Sequence, residues 1–403
     1  MIRLSTSWMF QQSLSSMLGA QSGLADIQNQ VTSGSRINLA SDDPAGAAQA
    51  VSLNHVIAST AQYSSNIDNA NARLSTEANT LTSFNSLLDQ VRSMTLQGIN
   101  GTLSNADRSD MATQLTQIRA QLVQLANTTD ANGNALFAGT ATTSTPFVVN
   151  GNGSVSYAGN ASNQMSQIGD SLRIPDSDAG ANLFMNLPTG NGSFTASAAA
   201  ANTGTLLVGS TSVSDGAAWK AATAGGPVDY QTSFDAAGNW TATDAGGATV
   251  ATGAYQDGGS ISFNGMSIAL SGTPAAGDSV SVKSGGTQDV FSTLSNLIGA
   301  LQDGTLSDTQ RSNQISRQLE SIDQAQNSVL GTQTDVGGRI NRIAQQKTTY
   351  SDLTLTYQTT LSGVQDTDMA SAISKLMLQS TALQASQQTF AKVQGMSLFN
   401  YIH

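Results

Sequence analysis

Cysteine is absent, histidine occurs only as His55 and His403, and 11% of the 403 residues are charged. Without thiols there are no disulfides, thiolate metal sites or cysteine nucleophiles. Two histidines leave almost no material for a histidine triad or a multi-histidine zinc site, and no pattern calls for a cofactor. No run of about eighteen apolar residues exists, so a transmembrane helix is not expected. The N-terminus lacks the charged-then-apolar build of a secretory signal peptide. The protein therefore stays inside the cell or leaves by a route that keeps its N-terminus. Its 16 basic residues are scattered in a chain of net charge −11, which argues against nucleic acid. Residues 174–286 contain no His, Cys, Glu or Arg, which excludes metalloprotease and histidine-based hydrolase chemistry there. Ser, Thr, Asn, Gln, Gly and Ala fill the surface instead, a profile suiting a secreted assembly protein better than a cytosolic enzyme.

Proline is scarce too, and its placement is informative. Pro44 stands alone, while the other five all lie between 146 and 274. Because proline breaks helix interiors, the chain divides into helical ends and a non-helical middle.

The strongest periodic signal runs from Ile315 to Val364. Ile315, Ile322, Val329, Val336, Ile343, Tyr350, Tyr357 and Val364 recur every seventh residue. Such a repeat is the pattern of a long helix packed lengthwise on others. The companion seam mixes Leu319, Ile340 and Leu361 with Gln326, Gln333, Lys347 and Thr354, so partner helices must supply apolar area. Gly337-Gly338 interrupts this helix at about 1 kcal/mol per glycine, which close helix approach would offset. The register breaks at Gln365–Asp368 and restarts with Met369, Leu376, Leu383 and Phe390, beside a mostly polar second seam of Ile373, Ser380 and Gln387. At the other end, residues 1–32 carry Phe10, Met17, Leu24 and Val31 at the same spacing. Both terminal helices are too thinly apolar to pack alone.

Between them, Gly34 can end the first helix, and Asp43-Pro44 supplies an N-cap followed by proline at the first helical position. Capping accounts for Asp42 and Asp43, and no third metal ligand is nearby. A second helix is expected from Ala45 to about Gly98, with Tyr63, Ile67, Ala70, Leu74, Leu81, Phe84, Leu88 and Val91 in one stripe interrupted by Glu77. Ser104 with Asp107 forms a variant capping box for a third helix. Gly304-Thr-Leu-Ser307 repeats Gly101-Thr-Leu-Ser104, and Arg311-Ser312 matches Arg108-Ser109. Strands are expected at Ala135–Ala138, Phe147–Val149 and Val155–Tyr157, with Asn150-Gly-Asn-Gly153 as a hairpin turn. Further candidates are Thr205–Val208, Val228–Phe234, Trp240–Thr243, Ser260–Phe263, Ser267–Leu270 and Ser279–Val282. Trp219 and Trp240 suit a carbohydrate site or, more commonly, a β core.

The fold class is therefore α+β, a long antiparallel helical coiled bundle built from both chain ends, with a β-hairpin region and an inserted all-β domain. Residues 1–43 and 366–403 make the two halves of a terminal coiled-coil domain. Residues 44–169 and 287–365 make the halves of a helical rod domain, and 170–286 the insertion. A rod with both chain ends at one tip suits self-assembly into a tube.

Residues Thr32–Ala47 resemble the flagellin-type signature, matching at Gly34, Arg36, Ile37, Asn38, Ala40, Asp42, Asp43, Pro44, Ala45 and Gly46. Gly337–Ile343 resembles the glycine-then-Asn-Arg helix of the same superfamily. Three further stretches point to its hook-associated protein 3 family rather than filament flagellin. They are Met1–Thr6 with Met9–Gln12, Ala126–Gly133 with Leu136–Gly139, and Leu383–Ser386 with Gly395–Phe399. The likeness covers about 1–170 and 260–403. It implies a structural role at the hook–filament junction of the bacterial flagellum, and export through the flagellar type III apparatus without signal cleavage. It also implies a ring of copies joining hook-associated protein 1 to flagellin, and a cytoplasmic chaperone on the C-terminal helix before export. No nucleic acid and no membrane insertion are implied. A filament flagellin is the rival within the superfamily; a glycan-binding adhesin displayed on such a scaffold is the rival from another class.

Overall fold

Helix ends follow local chemistry. Gly34, at φ +70, donates to Gln30 O and turns the chain out of the first helix. Asp43 accepts the Gly46 N–H and opens the second. The computed structural model describes residues 6–101, 103–141 and 145–395. The terminal parts of the family-like ends, residues 1–5 and 396–403, lie outside the described residues, as does Thr102.

In chain order the first half holds α1 (Thr6–Ser33), α2 (Pro44–Gly98), α3 (Asn105–Ala126), β1 (Phe147–Val149), β2 (Val155–Tyr157), β3 (Met165–Gln167) and β4 (Arg173–Pro175). A π-helical turn (Ala181–Met185), β5 (Leu187–Pro188), β6 (Phe194–Ala198), β7 (Leu207–Val213), α4 (Gly216–Ala222), β8 (Asp229–Phe234) and β9 (Asn239–Asp244) follow. The rest is β10 (Thr249–Ala254), β11 (Ser260–Phe263), β12 (Met266–Ser271), β13 (Ser279–Ser284), β14 (Thr287–Gln288), α5 (Val290–Gln302), α6 (Asp308–Gln365) and α7 (Met369–Gly395). At 55 residues, α2 is roughly 80 Å long. The chain forms two compact units, residues 1–65 with 345–403, and residues 66–344.

In the second unit the seventh-residue seam of α6 is buried at Ile315, Ile322, Val329, Val336 and Ile343. It meets the α2 stripe, buried from Ile67 to Val91, and the α3 stripe of Met111, Leu115, Ile118 and Leu122. Phe184, carried by the π-helical turn, stacks on Phe84 at 4.5 Å and meets the edges of Phe137 and Phe147 at 5.2 and 5.6 Å. The repeated Gly-Thr-Leu-Ser corners have the same construction. Ser104 and Ser307 each form a reciprocal cap with the residue three positions on, Asp107 and Gln310. Arg108 and Arg311 each donate back to the leucine carbonyl of their own corner, Leu103 and Leu306.

The interruption of the α2 stripe at Glu77 marks a buried charge cluster. Glu77 is fully buried; its Oε1 accepts the Asp178 N–H at 3.1 Å, and its Oε2 has no partner among the described residues. Asp178 is held by both guanidinium nitrogens of Arg339 on α6, at 2.7 and 3.0 Å. Arg73, one turn earlier on α2, pairs with Asp130 and lies 3.5 Å from Asp176. Burial, aided by the neighbouring Asp178 carboxylate, pushes Glu77 up to about 8.

The insertion is built on a five-stranded antiparallel sheet, order β10-β9-β8-β13-β6, and a three-stranded one, β11-β12-β7. Their shared core includes Phe194, Tyr230, Trp240, Phe263 and Val282. One edge of the smaller sheet, β7, is covered by polar side chains of α6. Asn313 accepts the Val208 N–H and donates to Leu206 O, while Arg317 donates to Val208 O and Gly209 O. A covered edge cannot pair with another chain.

Several expectations differ from the structure. Ala135–Ala138 is a turn buried throughout, a plug for the core rather than a strand with one exposed face. The expected strand at Thr205 begins at Leu207 and runs to Val213. The insertion is not purely β, since Asp215 caps the short helix α4. A Cβ on Gly337 or Gly338 would meet nothing within 4 Å, so no close helix approach offsets their cost.

Candidate functional site

The sequence-predicted residues gather in the first unit, at the chain ends and the connectors behind them. α1 and α7 pack antiparallel. The Phe10 and Phe390 rings lie 5.3 Å apart, a Cβ on Gly23 would lie 3.2 Å from Gln379 Nε2, and Ser35 pairs with Asp366 in an antiparallel bridge. Counting by sevens along both helices from the Phe10–Phe390 pair sets Met17 level with Leu383, Leu24 with Leu376, and Val31 with Met369. The middle members of both series are half-buried; Phe10 and Met369 remain 43% and 42% exposed.

Further apolar residues stand outside the main seventh-residue series, and of these only Ile373, in the second seam of α7, was read from the sequence. Leu14 and Leu18 on α1, and Ile373, Met377 and Leu378 on α7, are exposed, Leu378 at 73%. With Phe10 and Met369 they form stripes at four-residue spacing, Phe10-Leu14-Leu18 and Met369-Ile373-Met377, which a search at that period would have found. Contiguous apolar surface of this kind marks an interaction site.

Behind the pair, both connectors are tied at one level. Arg36 N–H donates to Gln365 O at 2.7 Å, and its guanidinium donates to Val364 O at 2.9 Å and to Asp43 at 3.2 Å. Ser35 Oγ donates to Gln365 O, and Thr367 N–H to Gly34 O. Arg36 thus satisfies terminal carbonyls of α6 that have no helical donor. Asp42 accepts the backbone N–H groups of Asn38 and Leu39, shaping the loop. The Gly46 N–H, with Arg36 beside it, holds the Asp43 carboxyl below its usual range. Gly46 sits tightly in this loop: a Cβ there would lie 2.6 Å from Asp43 Oδ2 and 2.7 Å from Ile37 Cδ1, so both side chains would have to shift. Across the gap, Asp368 caps α7 through Ala370 and Ser371. The signature residues Arg36, Asn38, Asp42, Asp43 and Pro44 therefore build a joint between helices. Replacing Arg36 with Ala is expected to speed exchange of the Thr367 amide about fivefold by removing the side-chain bonds that hold the connectors. Lysine should not restore protection, since it lacks the planar fork. Unchanged exchange in Arg36→Ala would show that the backbone bridge suffices.

Among the described residues no group of three acidic, His or Cys side chains could hold a metal, and no helix is long and apolar enough to cross a membrane. Trp240 is buried, and half-buried Trp219 packs on Phe194 at the edge of the β core.

Helical regions from both chain ends that pack on each other, with a β-rich domain inserted between them in sequence, define a flagellin-type scaffold. Residues 4–142 match the bacterial flagellin N-terminal helical region, and 319–402 its C-terminal helical region. Residues 196–284 match the D2-like domain of flagellar hook-associated protein 1. The flagellar hook-associated protein 3 of Salmonella typhimurium is 26% identical over 402 residues, 99% of each chain. The crystal structure of FlgL from Xanthomonas campestris superposes with a TM-score of 0.69 at 31% identity, over 77% of this chain and 99% of that one. Hook-associated protein 3 from Legionella pneumophila gives 0.71 at 28% identity, covering 77% and 98%. The flagellin of Clostridium tyrobutyricum matches 27% of this chain and 29% of its own, at 32% identity. The chain belongs to the flagellar hook-associated protein 3 family of the flagellin superfamily.

Proposed function

We propose that the protein is a structural, non-catalytic component of the bacterial flagellum that forms the junction between hook and filament. The observation carrying this reading is the likeness to a hook-associated protein 3 across 99% of both chains, where the flagellin match covers under a third of either. Copies assemble as a ring through the paired ends, between hook-associated protein 1 on one side and flagellin on the other. Within each copy Phe10, Met17, Leu24 and Val31 close against Met369, Leu376, Leu383 and Phe390; the outward stripes meet neighbouring copies. The thin apolar content of α1 and α7 suits passage through the type III apparatus, unfolded and without signal cleavage, with a cytoplasmic chaperone on α7 beforehand. The joint at 34–46 and 366–368 supports a terminal coiled-coil domain of residues 1–43 and 366–403. Residues 44–169 and 287–365 then make the rod, and 170–286 the insertion.

Immunogold electron microscopy with an antibody against residues 170–286 tests the assignment on intact flagella. A single band at the hook–filament boundary is expected. Label along the whole filament would make the protein a flagellin, and absence of flagellar label would overturn the reading.

A further inference from the structure

The chain contains six Asn-Gly pairs; Asn100-Gly101 adjoins Thr102, which lies outside the described residues, and among the other five the structure sets one apart. An asparagine followed by glycine can cyclise if the glycine nitrogen is free to attack the side-chain amide. Glycine leaves that approach sterically open. An N–H already donating to a carbonyl must first break that bond. Gly133, Gly153 and Gly192 donate to Asp130 O, Asn150 O and Thr189 O respectively. Asn264 is half-buried and donates to the Tyr230 hydroxyl, and the backbone of Gly265 is packed against Asp215 and Trp219. Asn150 is different. It is exposed at the β1–β2 turn, the Gly151 N–H has no acceptor among the described residues, and a Cβ on Gly151 would meet nothing within 4 Å. The Asn150 side chain is itself oriented, donating to Ser154 Oγ at 2.9 Å while Ser156 Oγ donates to its Oδ1 at 3.4 Å. That second contact polarises the carbonyl at which attack must occur.

We propose that Asn150 is a site of spontaneous covalent self-modification in the folded protein. The Gly151 nitrogen bonds to Asn150 Cγ, the Cγ–Nδ2 bond breaks, and ammonia leaves with the backbone amide proton. Water then opens the cyclic imide at either carbonyl, giving aspartate or isoaspartate. Isoaspartate routes the backbone through the former side chain and lengthens the turn. It thereby disrupts the Asn150 N–H to Ser154 O bond that closes the hairpin, beside the Gly153 carbonyl gripped by Arg119 of α3. The hairpin thus carries a slow chemical change that uses no enzyme.

The test is incubation of the full folded chain at mildly alkaline pH, followed by digestion and fragment-ion sequencing to assign each deamidation. Asn150 should convert about tenfold faster than Asn152, its neighbour in the same turn, because only the Gly151 amide is free. In denaturant the two should convert at similar rates. Gly151→Ala, for which the structure has open space and no left-handed φ, should suppress conversion at Asn150 alone. Equal rates at Asn150 and Asn152 in the folded chain, or no conversion at Asn150, would overturn the proposal.

Discussion

Replacing both Leu376 and Leu383 with aspartate is expected to abolish assembly while leaving residues 66–344 folded. Both leucines are half-buried in a pair that has little else to hold it. The companion seam of α7 offers only Ile373, Ser380 and Gln387, and Ile373 is exposed. Full burial of a leucine is worth about 1.5–3 kcal/mol, so two half-buried ones contribute roughly that much together. Aspartate removes this contribution and adds a carboxylate that resists desolvation. Helices this dependent on packing do not persist once the packing is gone. Swarming in soft agar and electron microscopy of the cells supply the readout, with hydrogen exchange of residues 66–344 as the folding control. Filaments of normal number on the double variant would sink the assignment of these positions to assembly.

Glu77→Gln is expected to stabilise the protein at alkaline pH and leave it almost unchanged at acid pH. The carboxyl is held up to about 8 by burial and by Asp178. An unfolded chain ionises glutamate near its ordinary value of 4.5. Between those pH values the unfolded state releases a proton that the folded state keeps, so wild-type stability falls as pH rises through the window and levels off above it. The full difference is on the order of 5 kcal/mol. Glutamine is isosteric with the protonated acid, keeps the acceptor for the Asp178 N–H, and never ionises. Thermal melts of both proteins from pH 4 to pH 9, a range of about five units around the raised value, should therefore converge at the acid end and separate progressively above it. Parallel melting curves across that range would show that Glu77 is ionised when folded.

Much of the architecture was legible because its signals are local. The seventh-residue series on α6 and α7, the cap at Asp43-Pro44, the twin corners at Ser104 and Ser307, and the hairpin turn at Asn150 each act through covalent neighbours. Period, capping and turn chemistry then dictate the element wherever it finally packs. Even the joint behind the chain ends showed in advance, as a signature on one side and a register break at Gln365–Asp368 on the other. Glu77 was visible only as an interruption in a stripe. Its meaning depends on Asp178 and Arg339, which lie far away in the chain and meet it only when α2 and α6 close around the 176–178 segment. The α6 residues Asn313 and Arg317 read as an ordinary polar helix face, yet they satisfy the edge of β7 more than a hundred residues earlier. Leu136 and Phe137 read as a strand because an apolar run has no direction until a core surrounds it. Local backbone chemistry is carried by adjacent residues and was determined by the sequence alone. Pairing of buried charges, and of sheet edges with helix side chains, was decided by the tertiary structure, because desolvation makes such partners necessary without marking in the sequence which ones will meet.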